Sequence, residues 1–326
     1  TPSSSATPRW DLAATFEEYP IEEANAGFIA TRVAPVVEVA EQTADAGKLP
    51  LEALLPAGDG SDTRRAPGSG YARGTYEWLT WTYSTEEHGA EEAVDDRRSR
   101  MFKTYLDAEA VAARRALDRV IRNAEMRMAA LVFNATTWTG ASLTTAVTNE
   151  WDDAANATPQ GDVEGAIQKV RDNSGLRANA LILGWKAFRN LRLVAAIQDD
   201  LKYSGIDDPK FPIDTVAEML AEYFALDMVL VGGAPKNTAK QGQSASLSDI
   251  WSTEYAMIAR IATGDDPSEA CIARTFHWSD DGSTIGGTVE NYREEQTRAN
   301  VVRVRHDIDE VVMYTEAGHL LSNIIT

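Results

Sequence analysis

Four histidines, His88, His277, His306 and His319, are the first residues to ask for chemistry, because an imidazole can hold a metal or move a proton near neutral pH. No two of them stand at the spacing that sets two ligands on one helical face, so they read as structural histidines and no metal centre is expected. The adjacent acids Glu86 and Glu87, Glu91 and Glu92, and Asp95 and Asp96 could share protons or bind a hard cation. Ahead of a helix start they read instead as a solvated acidic surface. No G-x-S-x-G occurs, so no serine can be named as a nucleophile. In "GSGYARG" the glycines at 68, 70 and 74 miss both the dinucleotide and the phosphate-loop spacings, and the segment runs into a strand pattern rather than a helix. It reads as a surface loop. Cys271 is the only cysteine, which excludes an internal disulfide and suggests a small apolar side chain in a reducing compartment. Asn134-Ala-Thr136 and Asn156-Ala-Thr158 match the glycosylation pattern, but "TPSSSATPRWDLAA" lacks the order of an export signal, so that chemistry is not expected. Eight tryptophans are spread through every segment, a distribution that suits core and interface anchors better than a stacking site. No catalytic residue, metal or cofactor is assigned.

The elements that would position such residues say more. The chain has 326 residues, 44% hydrophobic and 25% charged, the mix of a folded protein with one or two domains. A net charge of −19 argues against a protein whose main task is gripping nucleic-acid phosphates. No apolar run approaches the roughly 20 residues of a membrane helix. After a Ser/Thr/Pro-rich arm, "FIATRVAPVVEVAEQ" from Phe28 to Gln42 reads as a half-buried strand that Pro35 places near a sheet edge. From Asp45 to Gly74 the composition supplies turns but no packing face, so a long loop is expected to reach outward. "TYEWLTWTY" returns as an aromatic strand. Between Ser99 and Phe133 apolar residues recur at steps of three, four or seven with neither Gly nor Pro, which predicts one long helix with Asp95 as a capping residue.

The middle alternates helix and strand. "DVEGAIQKVRDN" reads as a helix stopped by Gly175, "ANALILG" as a strand, "WKAFRNLRLVAAIQDDLKY" as one or two helices, and "IDTVAEMLAEYFA" as a helix before the strand "DMVLVGG". "EYAMIARIA" and "RTFHWS" add strands, and "NVVRVRHDIDEVVMYTE" reads as a β-rich pair ending in "AGHLLSNII". The fold class is α+β.

That order of parts resembles the major capsid proteins of tailed bacteriophages with the Hong Kong 97-type fold. "GFIATRVAPVVEV" looks like the strand entering the family's extended β-hairpin loop, "TRRAPGSGYARG" like the loop's return, and "YSTEEHGAEEAVDDRR" like the approach to the long spine helix. "RRALDRVIRNAEMRMAALVFN" is similar to the spine helix itself. "LILGWKAFRNLR", "MVLVGGAPKNTAKQG" and "DIWSTEYAMIARI" look like parts of the α/β axial domain, and "VENYREEQTRANVVRVRHDIDEVVMYTEAGHLLSNI" like the closing β segment of the peripheral domain. The resemblance implies residues 1–27 as an N-terminal arm and 28–94 as peripheral strand and extended loop. It implies 95–158 as spine helix and peripheral domain, 159–265 as axial domain, and 266–326 as a return to the peripheral domain.

The function implied is a non-enzymatic shell subunit, assembled in the bacterial host cytoplasm as hexamers and pentamers into the icosahedral capsid of a virion. Its partners would be itself, a portal, a scaffold and in some shells decoration proteins, around double-stranded DNA held without sequence-specific binding and with no membrane. Arg64, Arg65 and Arg73 would be intersubunit contacts at the loop tip, and Leu106, Leu117, Val120 and Met128 the packing face of the spine helix. Fewer than thirty residues precede "GFIATRV", which favours a separate scaffold, and the absence of a lysine near the tip argues against covalent crosslinking. Two other readings compete, an encapsulin-like nanocompartment shell and a cytosolic α/β enzyme or binding protein with a lid at Asp59 to Gly74.

Overall fold

The structure is a computed structural model and describes residues 7–8, 27–48, 50, 64–71, 79–102, 107–203, 213–240, 242–264, 266–280 and 282–325. The chain begins with β1 (Thr7–Pro8), the single-turn helix α1 (Ala30–Val33), β2 (Val36–Val39) and β3 (Thr43–Lys48). Next come β4 (Leu79–Ser84), β5 (Glu86–Asp95), α2 (Asp96–Phe102) and α3 (Ala108–Val132). The middle holds β6 (Thr144–Ala146), α4 (Pro159–Ser174), β7 (Ala180–Gly184), α5 (Trp185–Leu191), α6 (Ala195–Tyr203), α7 (Ile213–Tyr223) and β8 (Met228–Gly232). A small ribbon, β9 (Pro235–Asn237) with β10 (Leu247–Asp249), precedes β11 (Ala256–Ala259) and β12 (Ala273–Trp278), and β13 (Thr288–Glu294), β14 (Ala299–Val312) and β15 (Gly318–Ser322) close the chain.

Two sheets organise these elements. The five-stranded sheet runs β6-β15-β11-β7-β8, with β7 parallel to β8 and β11 antiparallel to β7 and β15. Strands β7, β8, β11 and β15 are largely buried on both faces, as their near-continuous apolar sequences require, whereas the edge strand β6 is half-exposed. Leu181, Leu183 and Ile258 face the layer built by α4, α5 and α7, whereas Ile182, Met257 and Leu320 face α1 and α3. Gly175 ends α4 at φ 71, a left-handed cap open to glycine without penalty.

The six-stranded sheet runs β1-β13-β14-β12-β2, with β5 along the other edge of β14. It forks. β13 pairs with residues 299–305 of β14 and β12 with residues 308–312, so His306 and Asp307 lie at the branch point. Among the described residues β2 pairs only with β12, the edge position that Pro35 suggests.

Helix α3 joins the two sheets. At about 1.5 Å per residue its 25 residues span roughly 37 Å. Ala112, Ala113, Ala116, Leu117 and Val120 pack on Ala90, Val94, Val302 and Val304 of the six-stranded sheet. Met128, Ala129 and Val132 pack on the other side of the molecule, against Ile182, Trp251 and Met257.

Several expectations change. The helix predicted from Ser99 to Phe133 is two described helices, and α3 has its own cap, Asp107, whose Oδ1 accepts from the backbone N–H of Glu109 at 3.1 Å and of Ala110 at 3.4 Å. Asp95 does cap a helix, but the shorter α2, through the N–H of Arg97 at 2.9 Å. The acidic approach to the helix is a strand, β5, paired with β14 over its whole length, with Glu86, Glu87 and Glu91 exposed just ahead of α2. Phe28–Gln42 contains a helical turn, α1, before its strand. The expected closing β pair is one fourteen-residue strand, β14, and the terminal "GHLLS" belongs to the five-stranded sheet.

Candidate assembly surfaces

The long segment between β3 and β4 has a rooted base. β3 and β4 pair antiparallel from Thr43↔Ser84 to Lys48↔Leu79, so the chain leaves and returns along one ribbon. Alternation in β4 turns Trp81 and Tyr83 to one side, where their ring centroids lie 5.0 and 4.9 Å from that of Phe276 on β12. Val37, Cys271 and Met313 complete that cluster. Burial raises the Cys271 thiol above its ordinary range, consistent with a packing residue rather than a nucleophile. The N–H of Ser84 donates to Asp309 Oδ2 at 2.9 Å, which ties the ribbon to β14.

Residues 64–71 of the loop form a turn. Ala66-Pro67-Gly68-Ser69 closes through the Ser69 N–H to the Ala66 carbonyl at 3.1 Å, with Gly68 at φ 86, the requirements of a type II turn with proline second and glycine third. Arg65 donates from Nε to the Ser69 carbonyl at 2.6 Å and lies 4.8 Å over the ring of Tyr71. Arg64 and Arg65 are exposed, as is Tyr71 at 74%. Arg73 lies outside the described residues.

Of the predicted helix residues, Leu117, Val120 and Met128 are buried, the first two against the six-stranded sheet and Met128 in the cluster with Trp251; Leu106 lies outside the described residues. Spacing put Met128 on one stripe with the others. The two-sheet contact places it in a separate core.

Sequence reasoning missed Glu125. It stands on α3 three residues before Met128, in the apolar stripe, and is 1% exposed. Its carboxylate accepts from the N–H groups of Ile29 at 2.9 Å and Ala30 at 2.8 Å, and from Trp251 Nε1 at 2.5 Å. One side chain thus caps α1 and holds the indole that packs beside β8. Burial raises the Glu125 carboxyl above its ordinary range, outweighing the hydrogen bonds that favour its charged form. An acid inside an otherwise apolar helix stripe was the available signal.

The histidines are less scattered than their sequence positions suggest. His306 of β14 sits directly opposite His88 of β5, with ring centroids 6.1 Å apart. His306 Nδ1 lies 3.2 Å from the Ile285 carbonyl, so this nitrogen carries the proton, and Nε2, buried, has no hydrogen-bond partner among the described residues. Burial pushes the imidazole down to about 4, so it is neutral at neutral pH. His319 is held between the Ser142 carbonyl at 2.9 Å and Thr145 Oγ1 at 3.0 Å. Among the described residues no group of acids, histidines and cysteine is arranged to hold a metal.

The acids of β5 are sorted by strand alternation. Glu91 faces away from α3, 3.4 Å from Arg303, which also meets Glu290 at 3.4 Å, and Arg305 continues the ladder to Glu290 at 3.1 Å. Glu92 faces α3 and meets Arg115 at 3.3 Å. Cross-strand charge matching of this kind stabilises a sheet pairing without forming a reactive site.

No family model matches the chain. It is 25% identical over 246 residues, 75% of each protein, to a major capsid protein of Pseudomonas phage JBD67. It is 24% identical over 307 residues, 92% of each, to the major capsid protein of Burkholderia phage BcepMu. Among solved structures, a phage-related protein from Bordetella bronchiseptica RB50 superposes with a TM-score of 0.71 at 19% identity, covering 98% of both chains. The capsid of Myoviridae phage XM1 gives 0.56 at 7% identity over 91% of this chain and 92% of its own. The chain therefore has the α+β fold of phage capsid structures of the Hong Kong 97 type, and in sequence it is similar to the major capsid proteins of phages.

Proposed function

We propose that the chain is the shell subunit of a tailed-phage capsid, assembling as hexamers and pentamers into an icosahedral container for double-stranded DNA. The observation that carries the reading is the β3–β4 ribbon. An aromatic stack roots it in the core, while the hydrogen bonds described at its tip run among Arg65, Ala66, Ser69 and Tyr71. A structured, exposed turn in the segment that leaves and returns along this ribbon suits burial against another molecule, and a heterologous contact repeated around an axis closes into a ring. The five-stranded sheet with its helices serves as the axial domain, and the six-stranded sheet with α3 as the peripheral domain. The net charge of −19 suits a lining that releases DNA rather than gripping it. Scaffold, portal and decoration proteins are the further partners of such a shell, in the virion and, before it, in the host cytoplasm.

The role is structural rather than catalytic. Both phage relatives are named as major capsid proteins, which favours this reading over a cargo-enclosing compartment or an enzyme with a lid. Electron microscopy and light scattering of the purified chain test it, with closed shells expected; a monodisperse monomer at high concentration would exclude it. Arg64→Glu with Arg65→Glu should impair assembly and leave the circular dichroism spectrum unchanged.

A further inference from the structure

The fork in the six-stranded sheet leaves a cavity of about 280 Å³ under the middle of α3. Val36, Ile121, Ala124, Met128, Ile285 and Ile308 give it apolar walls. A closed apolar cavity of about 150 Å³ already accepts benzene, so this one accommodates a substituted ring. Its polar lining is largely committed. The Glu125 carboxylate takes three donors, and Glu310 takes a bidentate pair from Arg127 at 2.8 and 3.0 Å. His306 Nε2 is different, a buried lone pair with no donor among the described residues, and such an atom costs free energy until a donor reaches it. Two carboxylates and no lysine or arginine line the cavity among the described residues.

The tip of the loop presents the complementary group. Tyr71 is exposed, its ring is held against the Arg65 guanidinium, and its hydroxyl accepts from Arg65 Nη1 at 3.4 Å, which leaves the hydroxyl proton to donate elsewhere. A phenol is an apolar ring with one donor at its far end, which matches apolar walls with one unsatisfied acceptor.

We propose that the cavity beneath α3 receives Tyr71 from the loop of a second copy of this chain, with the Tyr71 hydroxyl donating to His306 Nε2. The proposal rests on the shell reading and adds to it a defined socket and plug. The partner is a copy of the same chain because donor and acceptor are both present in it, one exposed and one unsatisfied.

The test uses the full chain with Tyr71 replaced by the photoreactive p-benzoyl-phenylalanine, assembled from a mixture of isotope-labelled and unlabelled chains, irradiated and mapped by mass spectrometry. Cross-links between chains from position 71 to residues 121–128, 285–286 or 306–310 are expected. Cross-links within one chain, or to other segments of particles that do assemble, overturn the docking and leave the shell reading intact; a chain that never assembles overturns both. Tyr71→Phe and His306→Leu should each raise the concentration needed for half-assembly by about three- to tenfold, the scale of one net hydrogen bond. Together they should raise it no more than the larger of the two alone; additive effects overturn the proposal. Tyr71→Phe stands without its partner should His306→Leu fail to fold. Saturable binding of p-cresol in the cavity of assembled unsubstituted shells would show the socket open and overturn the proposal as well.

Discussion

Replacing Glu125 by leucine sets two opposed effects against each other. A buried carboxylate carries a desolvation penalty, and hydrophobic replacements of buried charges are often neutral or stabilising when all the charged partners are removed together. Here the partners stay. The N–H groups of Ile29 and Ala30 and the Trp251 indole N–H would each lose their acceptor in a buried or partly buried site. Three stranded donors at about 1–3 kcal/mol each outweigh the relief of desolvation, for a net loss of roughly 3–5 kcal/mol. Stability of folded domains is about 5–15 kcal/mol, so Glu125→Leu is expected to be folded but marginal. Glu125→Gln separates shape from charge. Its amide oxygen still serves two of the donors while its NH₂ faces the third, for a loss of about 1–2 kcal/mol. Urea unfolding of the unassembled chain, followed by tryptophan fluorescence, gives both values, with Gln milder than Leu and the slope unchanged. A Glu125→Leu chain as stable as the unsubstituted one would refute the reasoning, because it would mean that the penalty on the carboxylate exceeds the worth of all three hydrogen bonds.

Two further perturbations probe the same region. The His306 imidazole is lowered from 6.5 to about 4, so below pH 6.5 the unfolded chain takes up a proton that the folded chain refuses. Stability at this site is therefore full above pH 6.5, falls as the pH drops toward 4 by about 3 kcal/mol, and is flat below; the difference between unsubstituted chain and His306→Leu in urea midpoints across that window should show the slope, and parallel curves would contradict it. At Gly232 an added Cβ would lie 2.1 Å from Trp251 Cδ1, so Gly232→Ala must move the indole off Glu125 and should cost about 3 kcal/mol or more. Gly165→Ala, exposed on α4 with no atom within 4 Å of its Cβ, should stabilise by roughly 0.5–1 kcal/mol in the same assay.

What could be read from the sequence was what local physics decides. The turn-rich composition around Pro67 and Gly68, the cap at Gly175 and the helices and strands from α4 to β8 each depend on residues a few positions apart. The misread elements depend on distant ones. "EEHGAEEAVD" is rich in helix formers, yet it is a strand because Ala90 and Val94 reach the α3 core and Glu91 and Glu92 find Arg303 and Arg115. Apolar residues four apart fit a helix face and a strand face equally. His88 and His306 meet only because β5 pairs with β14 in one register, and no spacing rule spans 218 residues. Glu125 was visible as an acid in an apolar stripe, but its three donors come from segments 95, 96 and 126 residues away.

The placement of those misread groups follows from how α3 is packed. Its first half presents Ala112, Ala113 and Ala116 to the six-stranded sheet, small side chains that let helix and strands approach closely. Its last turns bury Met128 and Val132 in the other core. Between them the helix crosses from one sheet to the other over the fork, where neither surface fits it, and there lie the cavity, Glu125 and the unsatisfied His306 nitrogen. Close-packed interiors transmit displacement rather than absorb it. A group pressed into that span therefore acts on a rod clamped at both ends, and its effect reaches the sheet that roots the loop and the sheet that carries the α4, α5 and α7 layer. The docking proposed at the fork would thus couple one contact, through α3, to the geometry with which the next is offered, a coupling that a loop docked on the outer face of either sheet would lack.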